Sequence, residues 1–103
     1  MSERKYPKNP TTSTLEKLEA VLSALFDGHF KTSGIINRLV NTAGHDFKIN
    51  GNDIRIFHKA GFIDKTHVPF SINMLKWGIS DKGRNYLELI KKYPKGLAWK
   101  MLT

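Results

Sequence analysis

Asn52, Arg55, His58 and Lys59 bring four polar or cationic side chains into one short stretch of the chain. A helix from Asp53 to Ala60 that buries Ile54 and Phe57, with Ile56 beside them, turns these four to the opposite side, because residues three and four apart share a helical face. On such a face an arginine presents a planar fork that fits the two acceptors of guanine, and an asparagine amide fits adenine. Asn52 has a second reading as the helix cap, since asparagine readily accepts an orphan N–H there. Arg55 has the plain alternative of a solvated charge.

Groups suited to phosphate lie around this stretch. Lys48 precedes it, while Thr32 and Ser33 open an earlier helix and offer hydroxyls and a helix N-terminus. Lys65, His67 and Lys76 follow in a segment of strand character, and Arg4, Lys5 and Lys8 make a basic N-terminal stretch. For the strand lysines, solubility and protection of a sheet edge carry equal weight. Lys82, Arg84, Lys91, Lys92, Lys95 and Lys100 read mostly as a solvated face. Tyr86, Tyr93, Trp77 and Trp99 could stack on unpaired bases, although their apolar neighbours favour the core.

Seventeen Lys and Arg against nine Asp and Glu give the 103-residue chain a formal charge of +8. So large an excess on a small body attracts polyanions, nucleic acid first. Other chemistry finds little support. Four histidines, His29, His45, His58 and His67, include no pair at ligand spacing, and the absence of cysteine removes thiolate metal sites, disulfides and thiol redox. No Ser-His-Asp order, phosphate-cradling glycine loop or carboxylate pair is present. The expectation is therefore a non-enzyme without metal or cofactor. No apolar run reaches the roughly 18 residues of a membrane span, and the polar N-terminus has no leader, so a cytoplasmic or nucleoid-associated protein is expected.

Several elements must hold these residues in place. Residues 1–12 read as a basic flexible arm. Ser13 and Glu16 have the spacing of a capping box, which predicts a helix over 14–27 with Leu15, Leu18, Val21, Leu22, Leu25 and Phe26 inward and Gly28 as its stop. Thr32 caps a second helix over 33–43, stopped by Gly44, with Ile35, Ile36, Leu39 and Val40 inward and Asn37, Arg38 and Asn41 outward. A turn over 45–51 is anchored by Phe47 and Ile49. After the helix over 53–60 and Gly61, strands are predicted at 61–66 and 73–79, with Pro69 in the tip between them. A last helix runs from Ser80 and Asp81 to Tyr93, where Pro94 stops it. The segment 94–103, with Leu97, Trp99, Met101 and Leu102, is apolar enough to pack on the domain, 13–93, or on a partner.

The phrase Lys59-Ala60-Gly61-Phe62-Ile63 ends the third helix, and Gly78-Ile79-Ser80-Asp81-Lys82-Gly83-Arg84 opens the last. With the order helix, helix, helix, strand, strand, helix, these phrases resemble winged helix-turn-helix transcription regulators over about residues 14–93. The resemblance implies an α+β winged helix: a three-helix core, a two-stranded β-hairpin wing and a C-terminal helix. It further implies that the third helix docks in the major groove, with wing and arm on phosphates. The expected protein is a small transcription regulator or architectural factor bound to double-stranded DNA, with a homodimer through the first helix and the C-terminal segment as a further option. An alternative lies in the hairpin tip, where Val68, Pro69, Phe70 and Ile72, together with Trp99, offer an apolar surface of the kind that marks protein interfaces. That reading makes the chain an adaptor or a phage-type inhibitor of another protein.

Overall fold

The computed structural model describes residues 6–67 and 75–103. They form an α+β fold of five helices and one antiparallel pair of strands: α1 (Thr12–Ala24), α2 (Ser33–Thr42), α3 (Gly51–Lys59), β1 (Ile63–His67), β2 (Leu75–Ile79), α4 (Asp81–Leu89) and α5 (Lys95–Leu102). No helix among the described residues is long and apolar enough to cross a membrane.

The N-terminus of α1 departs from the expected box at Ser13 and Glu16. Thr11, in extended conformation, accepts the N–H of Thr14 at 3.2 Å, so the helix begins earlier and Ser13 falls inside its first turn. Leu15, Leu18, Val21, Leu22 and Leu25 are buried as the period requires. Phe26 is not: the helix ends at Ala24, and the chain turning toward Gly28 leaves that ring 53% exposed. Gly28, Gly44 and Gly61 take φ of 86°, 99° and 90°, the left-handed values expected of residues that stop helices.

Thr32 caps α2 by accepting the N–H of Ile35. Ile36 and Val40 are buried and Leu39 half-buried, while Ile35 is exposed, so the inward stripe is narrower than its sequence suggests. Asn37, expected to face outward, holds the turn before α3. Its Oδ1 accepts the Ile49 N–H at 2.7 Å and its Nδ2 donates to the Ile49 carbonyl at 2.8 Å. Ile49 is buried, and its two backbone polar groups are thereby satisfied away from water.

In the hairpin, Ile63 pairs with Ile79, Lys65 with Trp77 and His67 with Leu75, while Asp64 pairs with Gly78 and Thr66 with Lys76. Partners across an antiparallel pair share a face, and faces alternate along a strand. Lys65, Trp77 and Leu75 therefore lie on one side, and Thr66 and Lys76 on the other. The link between α1 and α2 adds a single bridge: Lys31 and Trp77 exchange two backbone hydrogen bonds of 2.8 Å.

The two phrases that carry the family resemblance are bonded to each other. Ser80 Oγ donates to the Gly61 carbonyl at 2.6 Å and accepts the Gly83 N–H as the cap of α4. Lys82 Nζ donates to the Ala60 carbonyl at 2.9 Å, placing a cation at the C-terminus of α3, where the helix dipole favours it. Arg84 lies over the Phe26 ring, 5.2 Å from its centre, and donates to the Phe26 carbonyl. Both side chains thus hold the fold rather than forming part of a solvated face.

The segment 94–103 becomes α5, opened by Pro94, and it packs on the domain. Trp99, expected as a possible interface residue, is fully buried. Its ring lies 5.1 Å from that of Phe62, and its Nε1 donates to the Pro7 carbonyl at 3.2 Å. An indole with both its N–H and its faces engaged inside has nothing to offer a partner. Tyr6 meets the same ring edge-on at 6.1 Å, so the described part of the N-terminal stretch lies against the domain instead of swinging free. The core also holds Tyr86, whose hydroxyl has no partner among the described residues; burial pushes its pKa far up.

Candidate nucleic-acid interface

The start of α3 decides where its polar side chains point. Asn50, not Asn52, is the cap: its side chain accepts the Asp53 N–H at 2.8 Å, and Asp53 Oδ2 accepts the Asn50 N–H at 3.0 Å, a complete capping box. This shifts the helix start earlier than the sequence reading had it and absorbs Gly51 and Asn52 into the first turn. Asn52 is released from capping and stands exposed, where its Oδ1 accepts from Arg55 Nη2 at 3.0 Å. Ile54 and Phe57 are buried and Ile56 is half-buried, so Asn52, Arg55, His58 and Lys59 share the outer side as expected.

That outer side forms one wall of an open groove of about 980 Å³. The N-terminus of α2 supplies Thr32 and Ser33, α3 supplies Gly51, Asn52, Ile54, Arg55, His58 and Lys59, and the hairpin supplies Lys65, Leu75 and Trp77. Seven of the polar and charged residues singled out from sequence therefore meet in one place, though they come from three elements. Lys65 reaches the groove because its face of the hairpin is the Trp77 face; Lys76, one register position away, belongs to the opposite face. Lys48 is exposed in the turn before α3 but does not line the groove. Lys8 is exposed in the segment that runs beside α5, near Trp99. Arg4, Lys5, Val68, Pro69, Phe70 and Ile72 lie outside the described residues, as does the side chain of His67.

Electrostatically the groove is one-signed. Its described lining contains Arg55, Lys59 and Lys65 and no carboxylate. The one acid of α3, Asp53, is buried and turned to the other side, where Lys17 Nζ approaches it at 3.4 Å. Other acids are occupied at a distance: Asp27 by Lys31 at 2.6 Å, Glu19 by Lys95 at 2.8 Å and Glu88 by Lys91 at 3.1 Å. His58 is held below the ordinary histidine value, first by burial and then by the charges of Lys65 and Lys59, with Asp64 opposing them. At neutral pH it is thus a neutral ring that can donate from one nitrogen and accept at the other.

Trp77, for which the sequence favours the core over stacking on bases, is half-buried and lines the groove, its ring 5.5 Å from that of His58 at an interplanar angle of 66°. The signal that could have found it was its cross-strand pairing with Lys65, which requires the hairpin register, and the sequence alone left that register open. No protein-family model, no curated protein and no solved structure matches the chain.

Proposed function

We propose that this chain is a winged-helix DNA-binding protein, a small regulator or architectural factor that lays α3 in the major groove of duplex DNA. The observation that carries the reading is the convergence of Thr32, Ser33, Asn52, Arg55, His58, Lys59 and Lys65 on one groove whose described lining has no acid. In this reading Arg55 and Asn52, already linked to each other, offer donors to base edges, and each good bidentate contact is worth about 1–3 kcal/mol of discrimination. Lys65 on the hairpin and the hydroxyls at the start of α2 take the flanking phosphates, which fix register without reading sequence. The chain's +8 charge supplies long-range attraction, and no step of covalent chemistry is assigned to the site. The order of elements and the bonded pair of phrases around Gly61 and Ser80 support the winged-helix assignment.

Duplex binding measured by fluorescence anisotropy across a salt series tests the reading. Affinity should fall steeply with salt, with log K against log salt sloping by about −0.9 for each phosphate neutralised. Arg55→Ala should relax sequence preference, whereas Lys65→Ala should weaken all duplexes alike and flatten the slope by about 1. Failure to bind any duplex at about 50 mM salt, where such attraction is strongest, would sink the proposal.

A further inference from the structure

Paired bases show the major groove only their edges, and phosphates need only cations and N–H donors. Neither accounts for the half-buried Leu75 and Trp77 in the lining of the groove. A half-buried indole beside a ring of arginine and lysines suits a different ligand, one with a flat apolar face and a negative charge at its margin. An unstacked nucleobase is such a ligand. The volume, about 980 Å³, is ample for a nucleotide, since sites for small molecules begin at roughly 300 Å³. His58, packed at a steep angle against Trp77, holds the indole from its own side, and in its neutral form it can meet a base edge as donor or acceptor.

Resting on the nucleic-acid reading above, we propose that the groove receives one unpaired DNA base against Trp77, while Arg55, Lys59 and Lys65 hold the phosphates next to it. Drawing a base out of an intact pair costs about as much as, or more than, one stacking contact returns. The protein therefore prefers DNA in which a base is already unpaired, at a bulge, a mismatch or a junction with single strand. The charge of the groove matches the backbone of that DNA, and its apolar lining matches the displaced base.

The test uses the full chain and three DNA probes of one sequence: the perfect duplex, the same duplex with a single bulged base, and the single strand. The bulged duplex should bind about tenfold tighter than the perfect one, the size expected of one base–aromatic stack. Trp77→Ala should bring the two within about twofold of each other; Trp77→Phe, which keeps a ring and guards against loss of folding, should retain most of the preference. Because Trp99 is fully buried, quenching of tryptophan emission by the bulged probe should report Trp77 and vanish in Trp77→Phe. Equal affinity of the wild-type chain for bulged and perfect duplexes, or a preference that survives Trp77→Ala, overturns this inference and leaves duplex binding standing. Failure of all three probes to bind at low salt overturns both.

Discussion

Asp53 and His58 sit five positions apart on α3 and set the character of the groove from opposite directions. Asp53 would cancel a cation if it faced outward; drawn into the capping box and beside Lys17, it leaves Arg55, Lys59 and Lys65 unopposed. His58 adds a charge that depends on pH. Its folded pKa lies below the unfolded value of about 6.5, so the free protein is penalised as pH falls through that value: the unfolded chain takes up the proton first. Under the proposed function, a phosphate held beside His58 would reverse this by favouring the imidazolium against the repulsion of Lys65 and Lys59. Duplex affinity should therefore rise as pH is lowered from 7.5 to 5.5, over about the range in which histidine titrates, and His58→Gln should flatten that rise; a pH series of anisotropy titrations reads both. The outward placement of Arg55, His58 and Lys59 was legible from the spacing of Ile54 and Phe57. The role of Asn52 was not, because Asn50 and Asn52 are equally good caps by type, and only the reciprocal bond with Asp53 distinguishes them.

At the scale of elements, caps and stops carried most of what the sequence revealed. Thr32 and Ser80 cap where their types and positions suggested, and three glycines close turns with the backbone only glycine adopts readily. α5 escaped for a physical reason: its first residue follows Pro94, it has no side-chain cap, and Gly96 lies in its first turn, so no start signal marks it. Its existence depends on burying Ala98 and Trp99, which is tertiary information. The start of α3 gives the sharpest check at this scale. Asn50→Ala removes the side-chain half of the capping box, the acceptor for the Asp53 N–H, and should cost about 1 kcal/mol of stability. Asn52→Ala, at an exposed position that caps nothing, should stay within about 0.5 kcal/mol. Urea unfolding of the two variants side by side separates them, and equal losses would contradict the cap assignment.

In the whole molecule, Trp99 joins regions far apart in sequence: Tyr6 and Pro7, Phe62 at the head of the hairpin, and α5 itself. Trp99→Ala would empty a fully closed site and orphan the Pro7 carbonyl, a loss of about 3–5 kcal/mol by the usual cost of large-to-small core changes. Domains of this size hold roughly 5–15 kcal/mol in all, so the variant should melt far below the wild type in a calorimetric scan; a shift of only a few degrees would show that α5 is an appendage. Convergence of three elements on one groove was legible only through the winged-helix resemblance and not from spacing along the chain, because it depends on the pairing of Lys65 with Trp77 and on the contact of the link before α2 with the hairpin.

That contact is the pair of hydrogen bonds between Lys31 and Trp77. Lys31 immediately precedes Thr32 and Ser33, and Trp77 lies opposite Lys65, so the bridge fastens one bank of the groove to the other before any ligand arrives. The conformational entropy of bringing these two banks together is consequently spent when the chain folds, and no ligand has to supply it on entering.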